Sequence, residues 1–209
     1  MLYSLRKKGC LVTEKKIHIR NAIFLGGMCA LAYLAVYVVR NVLGAAAPMI
    51  TAEGVMSTGQ IGTLSSVFFV TYAVGQLING TLGDHIPAKY MIGFGLILAG
   101  GCHLVLTAAL SSPLLAYVLY AAVGFFLAMV YGPMAKVVAE NVHPLYAPRC
   151  SLGYTFSSLL GSPAAGVLVM VLSWQWVFAG SSALLIAMGL VVFVSFCLYE
   201  RHGDRKSVV

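Results

Sequence analysis

The stretch Leu31-Ala-Tyr33-Leu-Ala-Val-Tyr37-Val-Val-Arg40-Asn41-Val-Leu-Gly44 sets one permanent charge inside an apolar run. Residues 23–47 are otherwise apolar or small, and at about 1.5 Å per residue that length crosses a bilayer core about 30 Å thick. Arg40 therefore falls within the membrane. At helical spacing it shares a face with Tyr33, Tyr37, Asn41 and Gly44, whereas Leu34, Val38 and Val42 point elsewhere. A guanidinium keeps its proton in any protein environment, so it must face water, a partner or an anion that enters from outside. The alternative is a side chain that snorkels to the outer surface, about a dozen ångströms away along the helix. Intramembrane charges are rare and face pathways, which favours an anion-binding residue inside a membrane bundle.

Such a bundle is what the remaining sequence describes. Of 209 residues 60% are hydrophobic and only 9% charged, and the mean hydropathy is +0.92. Apolar runs recur at about 23–47, 59–79, 90–111, 114–139, 150–172 and 174–199, giving six expected spans. The first run is too long for the apolar region of a signal peptide and carries an Arg, so it reads as an uncleaved span that Pro48 closes. The net charge of +7 belongs to topology. Arg6, Lys7, Lys8, Lys15, Lys16 and Arg20 precede span one, and Lys89, Arg149, Arg201, Arg205 and Lys206 fall in the connectors and tail of that same side, with Lys136 near the boundary. The opposite connectors hold no Lys or Arg, so both termini are expected in the cytoplasm. No folded basic face is left for nucleic acid. Cys10, Cys29, Cys102, Cys150 and Cys197 lack metal or redox spacing, and no metal or cofactor is expected.

Leu31-Ala-Tyr33 lies fifteen residues before Pro48, and Leu115-Ala-Tyr117 sixteen before Pro133. An echo across three spans reverses the second copy in the membrane, the pattern of inverted repeats. In span two, Ser65, Tyr72, Gln76 and Asn79 recur at helical spacing. They either line the cavity of Arg40 or bond between helices. No Asp or Glu falls inside any span, and His103 is the only candidate relay, more readily explained as a hydrogen-bonded packing residue. Exchange of one anion for another needs no relay and fits this absence. Gly153, Gly161, Pro163 and Gly166 in span five permit tight packing and a bend. Trp174, Trp176 and Tyr199 stand at the ends of span six, as interfacial anchors do.

The loop after span two reads Asn79-Gly80-Thr81-Leu82-Gly83-Asp84-His85-Ile86-Pro87-Ala88-Lys89-Tyr90. It resembles the cytoplasmic signature of the major facilitator superfamily, Gly-x-Leu-Ala-Asp-Arg-x-Gly-Arg-Lys. Gly80, Leu82, Asp84 and Lys89 match, while His85, Pro87 and Ala88 depart from it. The resemblance implies a latch: Gly80 admits a close helix, and Asp84 pairs with a cation across the bundle. The first span, from Tyr33 and Tyr37 through Val38-Val-Arg40-Asn41 to Pro48, resembles the organophosphate:phosphate antiporters, the branch holding bacterial glycerol-phosphate and hexose-phosphate carriers. That resemblance assigns substrate phosphate to Arg40 and the pathway to Tyr37, Tyr33 and Tyr72. Gln76 stands where those carriers have Lys, Ser157 where they have His, Tyr131 where they have Trp and Lys136 where they have Arg; Leu127-Ala128 replaces a Gln-Gly pair. Fewer cations weaken the case for a doubly charged ester and admit a monoanion such as a carboxylate.

The expected fold is thus all-α and integral to the membrane, six transmembrane helices in two inverted three-helix repeats, one half of a major facilitator fold. Residues 1–22 form a basic cytoplasmic tail, 23–199 the bundle, and 200–209 a cytoplasmic tail or the start of a central linker. The resemblance implies the N-terminal half of a secondary transporter of the bacterial inner membrane that moves a phosphorylated metabolite in exchange for phosphate. Its partners are a small anion, membrane lipid, and a C-terminal half or a second copy. A truncated product, a split transporter and a self-paired bundle all remain open, as does a membrane sensor of phosphorylated sugar. No hydrolytic motif supports an enzyme.

Overall fold

A computed structural model describes the backbone of residues 2–202 and the side chains of 19–201. The six helices are α1 (Leu2–Ala52), α2 (Thr58–Leu82), α3 (Ala88–Ala109), α4 (Pro113–Asn141), α5 (Ala147–Val171) and α6 (Trp174–His202). All six contain a membrane-crossing length of apolar helix, in α1 from Ile19 onward. The chain is an integral membrane protein. The side chains of the basic residues before Ile19, and Asp204, Arg205 and Lys206, lie outside the described residues.

Two ends differ from expectation. Pro48 does not close α1, which continues to Ala52. A helical proline crowds the carbonyl four residues back; here that residue is Gly44, with nothing within 4 Å of where its Cβ would be, so the backbone has room to yield. The real stop is Gly54, whose φ of +69° belongs to the left-handed region, with the Val55 N–H returning to the Ile50 carbonyl at 3.1 Å. Helix α2 then begins on a capping box: the Ser57 hydroxyl accepts from the Gln60 N–H, and the Ser57 N–H donates to the Gln60 side chain at 2.8 Å. At the far end Trp174 is not an interfacial anchor. It is 4% exposed and donates its indole N–H to Glu53 Oε2 at 2.7 Å, tying α6 to the end of α1, whereas Trp176 is exposed as an anchor should be.

Helix α1 packs on α5, α2 on α4, and α3 on α6; α4 also meets α3, and α1 meets α6. Exchanging α1 with α4, α2 with α5 and α3 with α6 maps this set of neighbours onto itself. Because each loop reverses the chain, α4 runs opposite to α1, and the two halves are inverted repeats. Glycine makes the close crossings: a Cβ on Gly161 of α5 would lie 2.9 Å from the Tyr37 backbone, and one on Gly124 of α4 would lie 2.6 Å from the Phe68 carbonyl. Gly153 and Gly166 face open space instead. The core between the repeats holds Leu43, Leu64, Phe68, Leu96 and Phe178. His103 is buried there, with Nδ1 2.8 Å from Ser182 Oγ and its ring stacked on Phe178 at 4.9 Å. Since Ser182 donates its own proton to the Phe178 carbonyl, the histidine donates to Ser182, which makes it a packing residue with a bare Nε2.

Candidate functional site

Arg40 projects from the middle of α1, where Val38, Val39 and Val42 on the other faces are buried in the core. Its guanidinium carbon lies 5.4 Å from the ring centre of Tyr37, 5.0 Å from Phe69 and 5.2 Å from Tyr72. Three π faces attract the cation without neutralising it. Among the described residues Arg40 makes no ion pair. A planar, permanently charged fork of donors held against aromatic rings has the geometry to pair with a carboxylate, sulfonate or phosphate oxygen pair.

A second tier of tyrosines adjoins this clamp. The Tyr33 ring lies 4.9 Å from Tyr37, 5.7 Å from Tyr131 and 5.9 Å from Tyr154, which brings α1, α4 and α5 together at one cluster. Gln76 lies one turn beyond Tyr72 on the same face of α2. Arg40, Tyr37, Tyr33, Tyr72, Gln76 and Tyr131 are therefore gathered on one side of the bundle. Ser157 lies on the α5 face that meets α1, one turn before Gly161, and its hydroxyl donates to the Gly153 carbonyl at 3.1 Å. Asn41 turns back on its own helix, its side-chain N–H donating to the Tyr37 carbonyl at 2.7 Å. The polar face of α2 divides: Tyr72 and Gln76 stay with Arg40, but Asn79 is buried against α4, where it donates to the Phe125 carbonyl at 3.4 Å.

Three contributors escaped the sequence reading. Phe69 sits three residues before Tyr72 on the same helix face, Tyr154 three before Ser157, and both spacings were there to be read. The hydroxyl of Tyr120 on α4 is within electrostatic reach of Arg40, while its ring packs 4.9 Å from Phe68. Nothing in the local pattern of α4 separates Tyr120 from the other apolar positions.

The loop between α2 and α3 departs from the expected latch. A Cβ on Gly80 would meet nothing within 4 Å, so Gly80 makes no close helix approach here, and one on Gly83 would meet the Asn79 carbonyl of its own helix at 3.2 Å. Asp84 pairs with no cation among the described residues. Lys89 instead forms an ion pair with Glu200 at 2.6 Å, bridging the start of α3 and the end of α6. Lys136 of α4 donates to the Gly83 carbonyl at 3.1 Å, covering the end of α2. Leu82 is partly exposed at that end. Among the described residues Lys136 forms no ion pair, and its charge rests on the last carbonyls of α2.

Comparison with known proteins agrees with this architecture. The family model described as Major Facilitator Superfamily matches residues 29–208. The membrane sensor protein UhpC of Escherichia coli (strain K12) is 39% identical over 83 residues, 40% of this chain and 18% of that protein. The probable sulfoacetate transporter SauU of Cupriavidus necator is 36% identical over 206 residues, 94% of this chain and 45% of that protein. The probable hexose phosphate transport protein of Chlamydia trachomatis is 22% identical over 194 residues, 90% of this chain and 40% of that protein. The chain spans less than half the length of these curated relatives. With its six inverted-repeat helices and a central arginine, the chain belongs to the Major Facilitator Superfamily and matches its organophosphate:phosphate antiporter branch.

Proposed function

We propose that this chain forms the N-terminal bundle of a secondary transporter that moves a small organic anion by alternating access, with Arg40 as the central contact. The aromatic clamp on Arg40, which makes no ion pair among the described residues, carries the reading. A guanidinium held in the membrane without a counterion has its charge completed when an anion arrives, and that gain is available from either side of the bilayer. Tyr37, Tyr33, Tyr72 and Tyr131 line the route, Gln76 and Ser157 add neutral hydrogen bonds, and the loop bearing Gly80, Leu82, Asp84 and Lys89 faces the cytoplasm with both termini. A phosphorylated metabolite exchanged for phosphate is the leading pair, supported by the hexose-phosphate relative. The sulfoacetate relative keeps other small oxyanions within the class. A second six-helix bundle, a C-terminal half or another copy, supplies the opposite wall.

A second reading, a sensor that binds such an anion without moving it, is supported by the 39% identity to UhpC. Flux separates the two. The chain in proteoliposomes loaded with phosphate is expected to take up labelled glycerol phosphate, hexose phosphate or sulfoacetate, and to lose that uptake in Arg40→Ala. Binding that depends on Arg40 with no uptake, even beside a co-reconstituted C-terminal bundle, would favour the sensor.

A further inference from the structure

A groove of about 310 Å³ opens between α1 and α5 near the basic end of the bundle. Ile23, Gly26 and Gly27 form one wall, and Arg149, Cys150 and Gly153 the other. Among the described residues Arg149 is its single charged lining residue, with the guanidinium 5.8 Å from the Tyr146 ring centre, the same cation-on-ring arrangement as Arg40. Among the described residues Arg149 makes no ion pair. It sits in the first turn of α5, which contains no acidic residue, so the positive end of the helix dipole adds to its charge. Arg20 lies beside the groove, in a recess it shares with Ile19, Ile23 and Phe24.

The groove is continuous in register with the Arg40 site. Positions 19, 22, 26, 30, 33, 37 and 40 of α1 step by three or four, which keeps groove and clamp on one helix face. On α5, positions 146, 150, 153, 157 and 161 do the same, leading from the groove past Ser157 to the contact of Gly161 with Tyr37. From Gly26 to Arg40 is fourteen residues, about 21 Å. Small residues keep the walls open, and the charge is placed at the water end.

We propose that this groove is the cytoplasmic mouth of the anion's route, with Arg149 a second, transient guanidinium contact for the same small organic oxyanion that Arg40 holds at the centre. The proposal rests on the transporter reading above. A cation at the mouth raises the local anion concentration, and the apolar walls offer nothing strong enough to hold the anion there. An anionic lipid headgroup is the rival occupant, since it presents the same chemistry to an arginine at this depth.

Cys150 provides the reporter: it lines the groove and is partly exposed, with its thiol donating to the Ala22 carbonyl of the facing wall at 3.4 Å. The full chain carrying Cys10→Ser, Cys29→Ala, Cys102→Ala and Cys197→Ala is placed in nanodiscs of zwitterionic lipid. It is treated with 2-sulfonatoethyl methanethiosulfonate, itself a small organic oxyanion, or with the trimethylammonium analogue. The sulfonate reagent is expected to modify Cys150 about tenfold faster than the cationic one. Arg149→Gln should abolish that preference and Arg149→Lys retain it, while glycerol phosphate or sulfoacetate should slow the sulfonate reagent in the parent. Equal rates for the two reagents, indifference to Arg149→Gln, or no modification at all would overturn the proposal. So would protection seen only when anionic lipid is added. Arg40→Ala separates the two readings: if Arg40-dependent anion binding is present but Cys150 shows no charge preference, the mouth assignment alone fails. If the preference survives without any Arg40-dependent binding, the transporter reading fails.

Discussion

Arg40 is held by aromatic faces and, among the described residues, by no counterion. Lysine would keep the charge at Arg40 but lose the planar fork and most of the stacking on Tyr37, Phe69 and Tyr72. Arg40→Lys is therefore expected to weaken anion binding about tenfold or more, read by isothermal titration. Phe69→Leu preserves the volume but removes one π face, and a loss of about 0.5–1 kcal/mol in anion affinity is expected, since the ring positions the cation. Gln76 lies one turn from Tyr72 beside the clamp. Gln76→Lys is expected to favour phosphate esters over monoanions, because a second cation there matches the second charge of the ester. Unchanged selectivity in that variant would separate Gln76 from the site. The candidacy of Arg40 came from one charge in an apolar run, and that Tyr33, Tyr37 and Tyr72 gather beside it was legible from helical spacing. Tyr120 was not legible, because its approach to Arg40 depends on how α4 crosses α2, which no local pattern encodes.

The helices are held by crossings that admit no side chain and by pairs at their ends. Gly161 lies where a Cβ would meet the Tyr37 backbone, so Gly161→Ala must separate α1 from α5 or strain both. A cost of about 1–3 kcal/mol is expected, measured as a fall in the thermal midpoint in detergent. Gly166→Ala faces open space and should leave the midpoint unchanged or slightly raised. The sequence marked both glycines in span five but could not rank them, because periodicity identifies a small residue and only the crossing shows what it touches. At the basic end, Lys89 and Glu200 join α3 to α6 with both side chains mostly buried. A double-mutant cycle through Lys89→Met and Glu200→Gln is expected to give a coupling of about 0.5–1 kcal/mol that shrinks in high salt. This pair was hidden in the sequence because its members are 111 residues apart. The signature-like loop pointed to Asp84, which pairs with no cation among the described residues, while Lys136 donates to the carbonyl of the preceding Gly83.

The bundle as a whole has two halves in one packing scheme, with the exchange of α1 for α4 already hinted by the spacing of Tyr33 and Tyr117 before Pro48 and Pro133. Helices α2 and α5 each pack mainly on one neighbour and leave large apolar side chains outward, Leu77 at 77% and Met170 at 88% exposure among them. In a bilayer those surfaces meet lipid or a second bundle without cost, whereas in water they would drive aggregation. The number of spans and the basic side were readable directly, since hydropathy and charge act over whole helices. Which helices touch was not, because six apolar cylinders offer many packings of similar burial.

The central claim is that the Arg40 guanidinium, which makes no ion pair among the described residues, makes this bundle an anion receptor. Thermal unfolding of the purified chain in detergent, titrated with phosphate, glycerol phosphate, hexose phosphates, sulfoacetate and simple carboxylates, tests it most directly. Stabilisation by at least one of these anions that rises with its concentration, and vanishes in Arg40→Ala, is the expected result. Stabilisation that persists in Arg40→Ala, or no stabilisation by any of them, would contradict it.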